Sequence, residues 1–291
     1  MTKLNDVLFN RYVNTKRFNA DIHIIADEIE YLINKYNHTV DEGFDKKIIT
    51  LNNDFERQTD HLVELAFSKN LCEEHKLKIY SKGNTGLDIY IEDIKGWGEY
   101  KCADYARDKN GNIIDIKSQE DLLLRITNAI QKKIIKVNKD YEAGLIQNNQ
   151  PVILFISLDK LSKVNYLLNN YISGLQPPPI LSSCFPLGEP KISFGLTTKK
   201  IRNSQQFEFS ITKNNGSKVY HDYFTKDTII ENNVNYSTKL ISAIIFAENI
   251  SNTLYDKILF KNKYKSNYIM VHNPLAINKI KEKLIKCQYE F

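Results

Sequence analysis

The chain has 291 residues, 42% hydrophobic and 26% charged, with a formal net charge of +5, which suits an ordinary soluble globular protein and permits a nucleic-acid partner without requiring one. The four cysteines (Cys72, Cys102, Cys184, Cys287) and six histidines are scattered, so zinc knuckles, CxxC redox pairs and HExxH sites are excluded. No apolar h-region opens the sequence and no run of about 18 uncharged apolar residues occurs, so a cytoplasmic protein away from membranes is expected.

In chain order, the spacing of Ile22, Ile25, Ala26, Ile29, Leu32 and Ile33 predicts a helix over 19–36. A second is expected over 53–70, with Asn53 or Asp54 as its cap and Phe55, Leu62, Leu65, Ala66 and Phe67 as its stripe. The texture then changes to period two: Leu77 and Ile79, then Leu87, Ile89 and Ile91, alternate with polar residues. Asp93–Gly96 reads as a turn and Trp97–Ala103 as the returning strand, before a loop at Asn110-Gly111-Asn112. A long helix follows over 118–142, with Ser118 as its cap and Leu122, Ile126, Ala129, Ile130, Ile134 and Val137 facing inward. Pro151–Ile156 is an uninterrupted apolar run that suits a strand buried on both faces. Residues 158–171 look helical, Pro177-Pro178-Pro179 stops regular structure, and Asn214–Ser217 predicts a hairpin between 207–211 and 218–223. Ala243–Ala247 and Tyr268–Val271 are further strands, and His272-Asn273-Pro274 reads as a turn.

The segment carrying chemistry is Gly86–Ile91, a turn, and Gly98–Lys101. Side chains alternate across a strand, so Glu99 and Lys101 share one face. With Leu87, Ile89 and Ile91 apolar, Asp88 takes the polar face. A turn centred on Ile94-Lys95 sets Asp88 opposite Lys101 and Tyr90 opposite Glu99, making Asp88 and Glu99 diagonal neighbours within roughly 8 Å. Two carboxylates offer hard oxygen ligands for Mg²⁺, and an adjacent lysine can orient water or offset transition-state charge. The bare (D/E)-x-K pattern also occurs at Asp45–Lys47, Asp93–Lys95, Asp115–Lys117 and Glu189–Lys191. Only Glu99–Lys101 follows an alternating strand with one polar-face Asp and precedes a long helix and a buried strand.

This arrangement resembles the PD-(D/E)XK, or restriction-endonuclease-like, nuclease superfamily, over about residues 49–160. The Pro of the family motif is absent, since Leu87 precedes Asp88. The resemblance implies an α/β fold with a central mixed β-sheet flanked by helices. It divides the chain into an N-terminal helical segment (1–44), a nuclease core (45–175) and a C-terminal β extension of the same domain (176–291). It further implies that Asp88 and Glu99 bind Mg²⁺, with Mn²⁺ as substitute, and that Lys101 is catalytic. Glu64, on the helix before the meander, would complete the metal shell, with Glu56 as runner-up. A polar or basic residue of the crossover helix would face the site, the candidates being Arg125, Gln131 and Lys132.

The implied activity is Mg²⁺-dependent phosphodiester hydrolysis, chiefly by a DNA endonuclease of restriction, defence or repair, with double-stranded DNA as partner and a homodimer as a possible assembly. Lys132 and Lys133 on the long helix, and the patch Lys199, Lys200 and Arg202, are the candidate nucleic-acid contacts. Each reading has a plainer rival. The hairpin face can be a solvated set of cross-strand ion pairs, Lys132, Lys133, Lys136 and Lys139 a solvated helix face, and Trp97 and Tyr100 core packing rather than base-stacking platforms. A non-catalytic nucleic-acid-binding protein and a protein-interaction domain therefore stay open beside the nuclease.

Overall fold

The computed structural model describes residues 3–15, 22–40, 43–51, 54–82, 86–107, 110, 113–114, 119–161, 179–185, 191–194, 201–204, 210–212, 218–220, 223–248, 250, 267–280, 284–285, 287 and 289–290. Four helices come first: α1 (Leu4–Thr15), α2 (Ile22–Lys35), α3 (Phe44–Thr50) and α4 (Phe55–Glu73). A meander follows, β1 (Ile79–Ser81), β2 (Ile89–Ile91) and β3 (Gly96–Cys102), then the short pair β4 (Ala106–Arg107) and β5 (Ile113–Ile114). Helix α5 (Gln119–Glu142) leads into β6 (Val152–Ser157). The remainder comprises α6 (Pro179–Cys184), β7 (Lys191–Phe194), β8 (Ile201–Ser204), β9 (Ser210–Thr212), β10 (Lys218–Tyr220), β11 (Thr228–Glu231), β12 (Val234–Ser237), β13 (Ala243–Glu248), β14 (Asn267–His272) and β15 (Tyr289–Glu290).

The central sheet is mixed, in the order β1-β2-β3-β6-β13-β14-β15. β1, β2 and β3 are antiparallel, β3, β6 and β13 run parallel, and β14 is antiparallel to β13. The parallel β3–β6 pair needs a crossover, which α5 provides. All six residues of β6 are buried, because helices cover both faces of the sheet and every side chain of its central strand meets protein.

On one face Ile89, Ile91, Tyr100, Cys102, Ile153, Phe155 and Ile245 pack with residues of α1–α4. Phe67 of α4 stacks on Tyr100 with centroids 5.4 Å apart and meets Phe155 edge-on. Each such ring contributes about 1.5–3 kcal/mol by leaving water. Helix α4 buries Leu62, Val63, Leu65, Ala66, Phe67 and Leu71 together with Gln58, Ser68 and Asn70. That arc is wider than a single stripe because α2 and α3 cover its outer side. Asp54 caps it, accepting from Arg57 N–H at 3.1 Å. Buried Arg11 of α1 reaches across to α4, donating to Thr59 Oγ1 at 2.7 Å and to the Phe55 carbonyl.

On the other face Trp97, Leu154, Ile156, Ile244 and Phe246 meet the expected stripe of α5, and Leu122, Ile126, Ala129, Ile130, Ile134 and Val137 are all buried. The β11–β12 hairpin, which sequence patterning missed, closes over α5. Its turn residues Asn232 and Asn233 both have positive φ (51° and 62°), the geometry of a two-residue I′ turn for which Asn is suited. Asn138 of α5 exchanges two hydrogen bonds with the Ser237 backbone, and Tyr223 donates to the Thr127 carbonyl at 3.0 Å. These contacts fix the rotation of α5 about its axis.

The helices expected over 19–36, 53–70 and 118–142, and the strands at 243–247 and 268–271, correspond to α2, α4, α5, β13 and β14. The hairpin around Asn214–Ser217 is the β9–β10 pair. Asn273 organises the expected turn, donating to the Thr238 and Ile241 carbonyls and accepting from Leu275 N–H. Of the helix expected over 158–171, Leu158 is not helical, Asp159–Leu161 is a 3-10 turn, and 162–171 lies outside the described residues, as does Ser118. Leu87 departs from expectation. It packs on the α5 side, not with Ile89 and Ile91, because regular pairing of β2 begins only at Ile89.

Two expected outcomes follow. A Cβ on Gly98 would fall 2.7 Å from Ile89 Cγ1 and 2.8 Å from Phe155 Cε2, so Gly98→Ala should cost about 1–3 kcal/mol by urea denaturation through overpacking. Burial alone would raise the Glu73 carboxyl, but hydrogen bonds from Lys69, Tyr36 and Lys35 outweigh it and hold it at about 2, below its ordinary 4.5. A lowered folded-state value gives stability that is present above pH 4.5 and lost as pH falls towards 2. Thermal melts of wild type and Glu73→Gln should therefore differ at neutral pH and converge through that window.

Candidate functional site

The β2–β3 ladder pairs Ile89 with Gly98, Tyr90 with Trp97 and Ile91 with Gly96. That register differs by two residues from the one expected, because the chain turns through a 3-10 segment at Glu92–Ile94 with Lys95 left-handed. Extended one step, it sets Asp88 against Glu99 rather than against Lys101. A two-residue slip keeps each side chain on its face, so the acidic pair survives and its members come closer.

Backbone pairing on this side of β3 stops at Gly98. Side chains take over the freed groups, as buried backbone donors require. Tyr100 N–H donates to Asp88 Oδ2 at 2.7 Å, and Asp88 N–H donates to Glu99 Oε2 at 3.1 Å. The Glu99 carboxylate is thereby bolted to the Asp88 backbone, and the Asp88 carboxylate to the Tyr100 backbone. Because β2 leaves at this point, the edge of β3 opens a cleft that both helical layers reach. It has a volume of about 160 Å³ and is walled by Asp60 and Glu64 of α4, by Asp88, Glu99 and Lys101, and by Lys133 and Lys136 of α5.

Glu99 has no exposed surface, and a buried carboxylate needs compensation. Lys136 Nζ lies 2.7 and 2.8 Å from its two oxygens and 3.6 Å from Asp88 Oδ1. Lys133 Nζ bonds Glu99 Oε1 and stands 3.9 Å from Asp88 Oδ2. Two ammonium groups thus balance two carboxylates. Burial and the neighbouring Glu99 charge push the Asp88 carboxyl up, against the pull of both lysines. Burial alone would lower Lys136, but Glu99 and Asp88 outweigh it and keep the ammonium above its usual range.

Of the residues singled out from sequence, Asp88, Glu99, Lys101 and Glu64 line this one cleft. Lys101 makes no side-chain hydrogen bond or ion pair among the described residues. Glu64 stands 3.6 Å from His61 and borders the cleft without joining the pair: among the described residues no three His, Cys, Asp or Glu side chains lie close enough to hold an ion. Glu56 is drawn instead towards buried Lys160, at 4.0 Å, alongside Asp60 at 2.9 Å and Asp104 at 3.7 Å. Lys132 is exposed and points elsewhere, and Gln131 bonds Glu231 on the hairpin. Arg125 lies outside the cleft, its Nε buried with no hydrogen-bond partner among the described residues. Lys199 and Lys200, and the side chain of Arg202, lie outside the described residues.

Lys133, nominated for phosphate contact, has its ammonium on Glu99. Lys136 and Asp60 were missed as site residues. Both lysines sit beside the buried stripe residues Ile134 and Val137, and that flanking position is the signal for an inward-turned pair. Tyr100 and Trp97 belong to the core, being 4% and 7% exposed. The Trp97 indole donates to Gln150 at 2.7 Å.

The donor chemistry suits a hard divalent cation, since Asp88 and Glu99 supply carboxylate oxygens. The position suits one too, because the Lys136 ammonium lies among three of those oxygens as a cation standing between the two acids. Comparison of the chain with protein-family models, with curated proteins and with solved structures finds no match.

Removing the buried acid should expose how much the cluster matters to the fold. Glu99→Ala leaves Lys133, only 15% exposed, facing Asp88 alone. The expected cost is about 3 kcal/mol by chemical denaturation, at the lower end for a broken buried pair because Lys136 can turn to water. Glu99→Gln should cost less.

Proposed function

We propose that the chain is a metal-dependent nuclease built on a restriction-endonuclease-like core, hydrolysing phosphodiester bonds in nucleic acid, with double-stranded DNA as the first substrate to test. The observation that carries the reading is the meeting of Asp88 and Glu99 at the open edge of β3, in a cleft that also holds Lys101, free of any ion pair among the described residues. Paired carboxylates and an unengaged amine beside them are the groups this hydrolysis requires.

In this reading Asp88 and Glu99 hold Mg²⁺ or Mn²⁺. Such an ion, when bound there, would supply the Lewis-acid charge that phosphodiester hydrolysis uses. Tyr100 N–H and Asp88 N–H fix the orientation of the two carboxylates before any ligand arrives. Lys101, on the same strand face as Glu99, orients the nucleophile or offsets charge on the scissile phosphate. The order helix, meander, crossover helix and parallel strand, seen in α4, β1–β3, α5 and β6, supports the assignment of the core. Restriction, defence and repair all accommodate this chemistry.

One observation favours a second reading. The carboxylates are already neutralised by Lys133 and Lys136, as in an ion-pair cluster that only stabilises a nucleic-acid-binding or protein-binding domain.

Incubation of the purified protein with supercoiled and linear DNA in Mg²⁺, Mn²⁺ or EDTA separates the two. The nuclease reading expects cleavage that EDTA abolishes. It also expects a loss of about 100-fold or more in Asp88→Asn and Lys101→Ala, with DNA binding retained in low-salt shift assays. Absence of cleavage by the wild type under all these conditions, or cleavage unchanged in both variants, sinks it.

A further inference from the structure

We infer that Lys136 is a displaceable counter-ion: its ammonium holds the cation position between Asp88 and Glu99 and gives way, by moving one helical turn to Asp140, when a divalent metal ion binds. This rests on the metal-dependent reading above and adds to it how the site is kept assembled and how it opens.

Three observations carry the inference. First, the ammonium occupies a metal-like position, with two Glu99 oxygens at 2.7 and 2.8 Å and Asp88 Oδ1 at 3.6 Å. A divalent ion contacting the same oxygens would come closer, at about 2.0–2.6 Å, with twice the charge, so the two cations compete for one place. Second, the two lysines differ in freedom. The Lys133 side chain is 15% exposed, whereas that of Lys136 is 38% exposed, which leaves Lys136 a solvent-side exit. Third, a second seat waits beside it. Asp140 lies four residues on along α5, on the same helix face. Its Oδ2 is shielded from water and has no hydrogen-bond partner among the described residues. A carboxylate in the last turn of a helix also opposes the helix dipole, and Asp140 already feels the Lys136 charge, so a cation seated on its Oδ2 relieves two costs together.

The division of labour follows. Lys133 stays on Glu99 and keeps the buried carboxylate compensated throughout. Lys136 leaves, and the charge the metal ion brings replaces its own. Without such a placeholder the acid pair would face itself across the cleft with one ammonium for two carboxylates. The placeholder lets the metal-free protein fold with the ligands already in position.

The test is Mn²⁺ binding to the full chain without nucleic acid, by calorimetric titration and by the loss of the free-ion electron paramagnetic resonance signal. Lys136→Met should bind Mn²⁺ about tenfold tighter than wild type, the equivalent of removing one competing ion pair. Lys139→Met, at an exposed position of the same helix, should change little. Asp140→Asn should weaken binding in the wild-type background and have no effect when combined with Lys136→Met. Lys136→Arg preserves the charge and the fold while its fork grips both Glu99 oxygens, so it should weaken Mn²⁺ binding even if Lys136→Met proves unstable. Unchanged or weaker binding in Lys136→Met, or unchanged binding in Lys136→Arg, overturns the counter-ion role and leaves the nuclease reading standing. If no variant binds Mn²⁺ at all, the metal-dependent reading falls together with this one.

Discussion

Glu99 is a carboxylate with no exposed surface, on a strand covered on both faces. A charge so placed is tolerated only with opposite charge and hydrogen bonds at hand, and much of the molecule serves that need. Helix α5 must present Lys133 and Lys136 to the sheet, so it must lie across β3 at one particular rotation. The β11–β12 hairpin and Tyr223 enforce that rotation through Asn138 and Thr127. β2 must leave the ladder at Asp88, so that its own carboxylate and N–H tie the Glu99–Tyr100 segment in place. Gly98, with no room for a side chain against Ile89 and Phe155, lets the two strands approach until that point.

The cleft therefore arises from a topological event rather than from a loop. Where β2 departs, β3 is left with β6 on one side and side chains on the other. Both helical layers then converge on a single opening, α4 bringing Asp60 and Glu64 and α5 its two lysines. The α4 side carries a second buried cation, Lys160, held by Asp60 and Asp104. Asp60 thus links two charged clusters across the end of the sheet. The result is a preorganised polar site within rigid elements, the arrangement that electrostatic catalysis needs and that mobile surface loops supply poorly.

The same arrangement joins charge balance to chemistry. Ammonium groups that stabilise the buried Glu99 and the half-buried Asp88 also occupy the space a metal ion would take. A cluster serving stability alone and a metal site awaiting its ion look alike in the metal-free state. On the proposal above they differ in whether a counter-ion has somewhere else to go, and Asp140, whose Oδ2 has no hydrogen-bond partner among the described residues, would give Lys136 that place.

Periodicity in the sequence settled the long elements. The stripe of α5, the unbroken apolar run of β6 and the alternation around Ile89 and Ile91 each record a burial pattern that local geometry imposes on any chain. The pairing of an Asp on one strand with the Glu of the next was legible for the same reason, because side-chain direction repeats every two residues. Register was not legible, since the turn at Glu92–Lys95 takes up two residues differently from a simple hairpin. Leu87 changed faces because the strand ends just beyond it. The inward role of Lys136, the arrival of Asp60 and the place of Glu64 at the border of the cleft were decided only by tertiary structure. A lysine at the margin of a helix stripe can face water or protein, and the choice depends on a buried charge 37 residues away in sequence that no local pattern encodes.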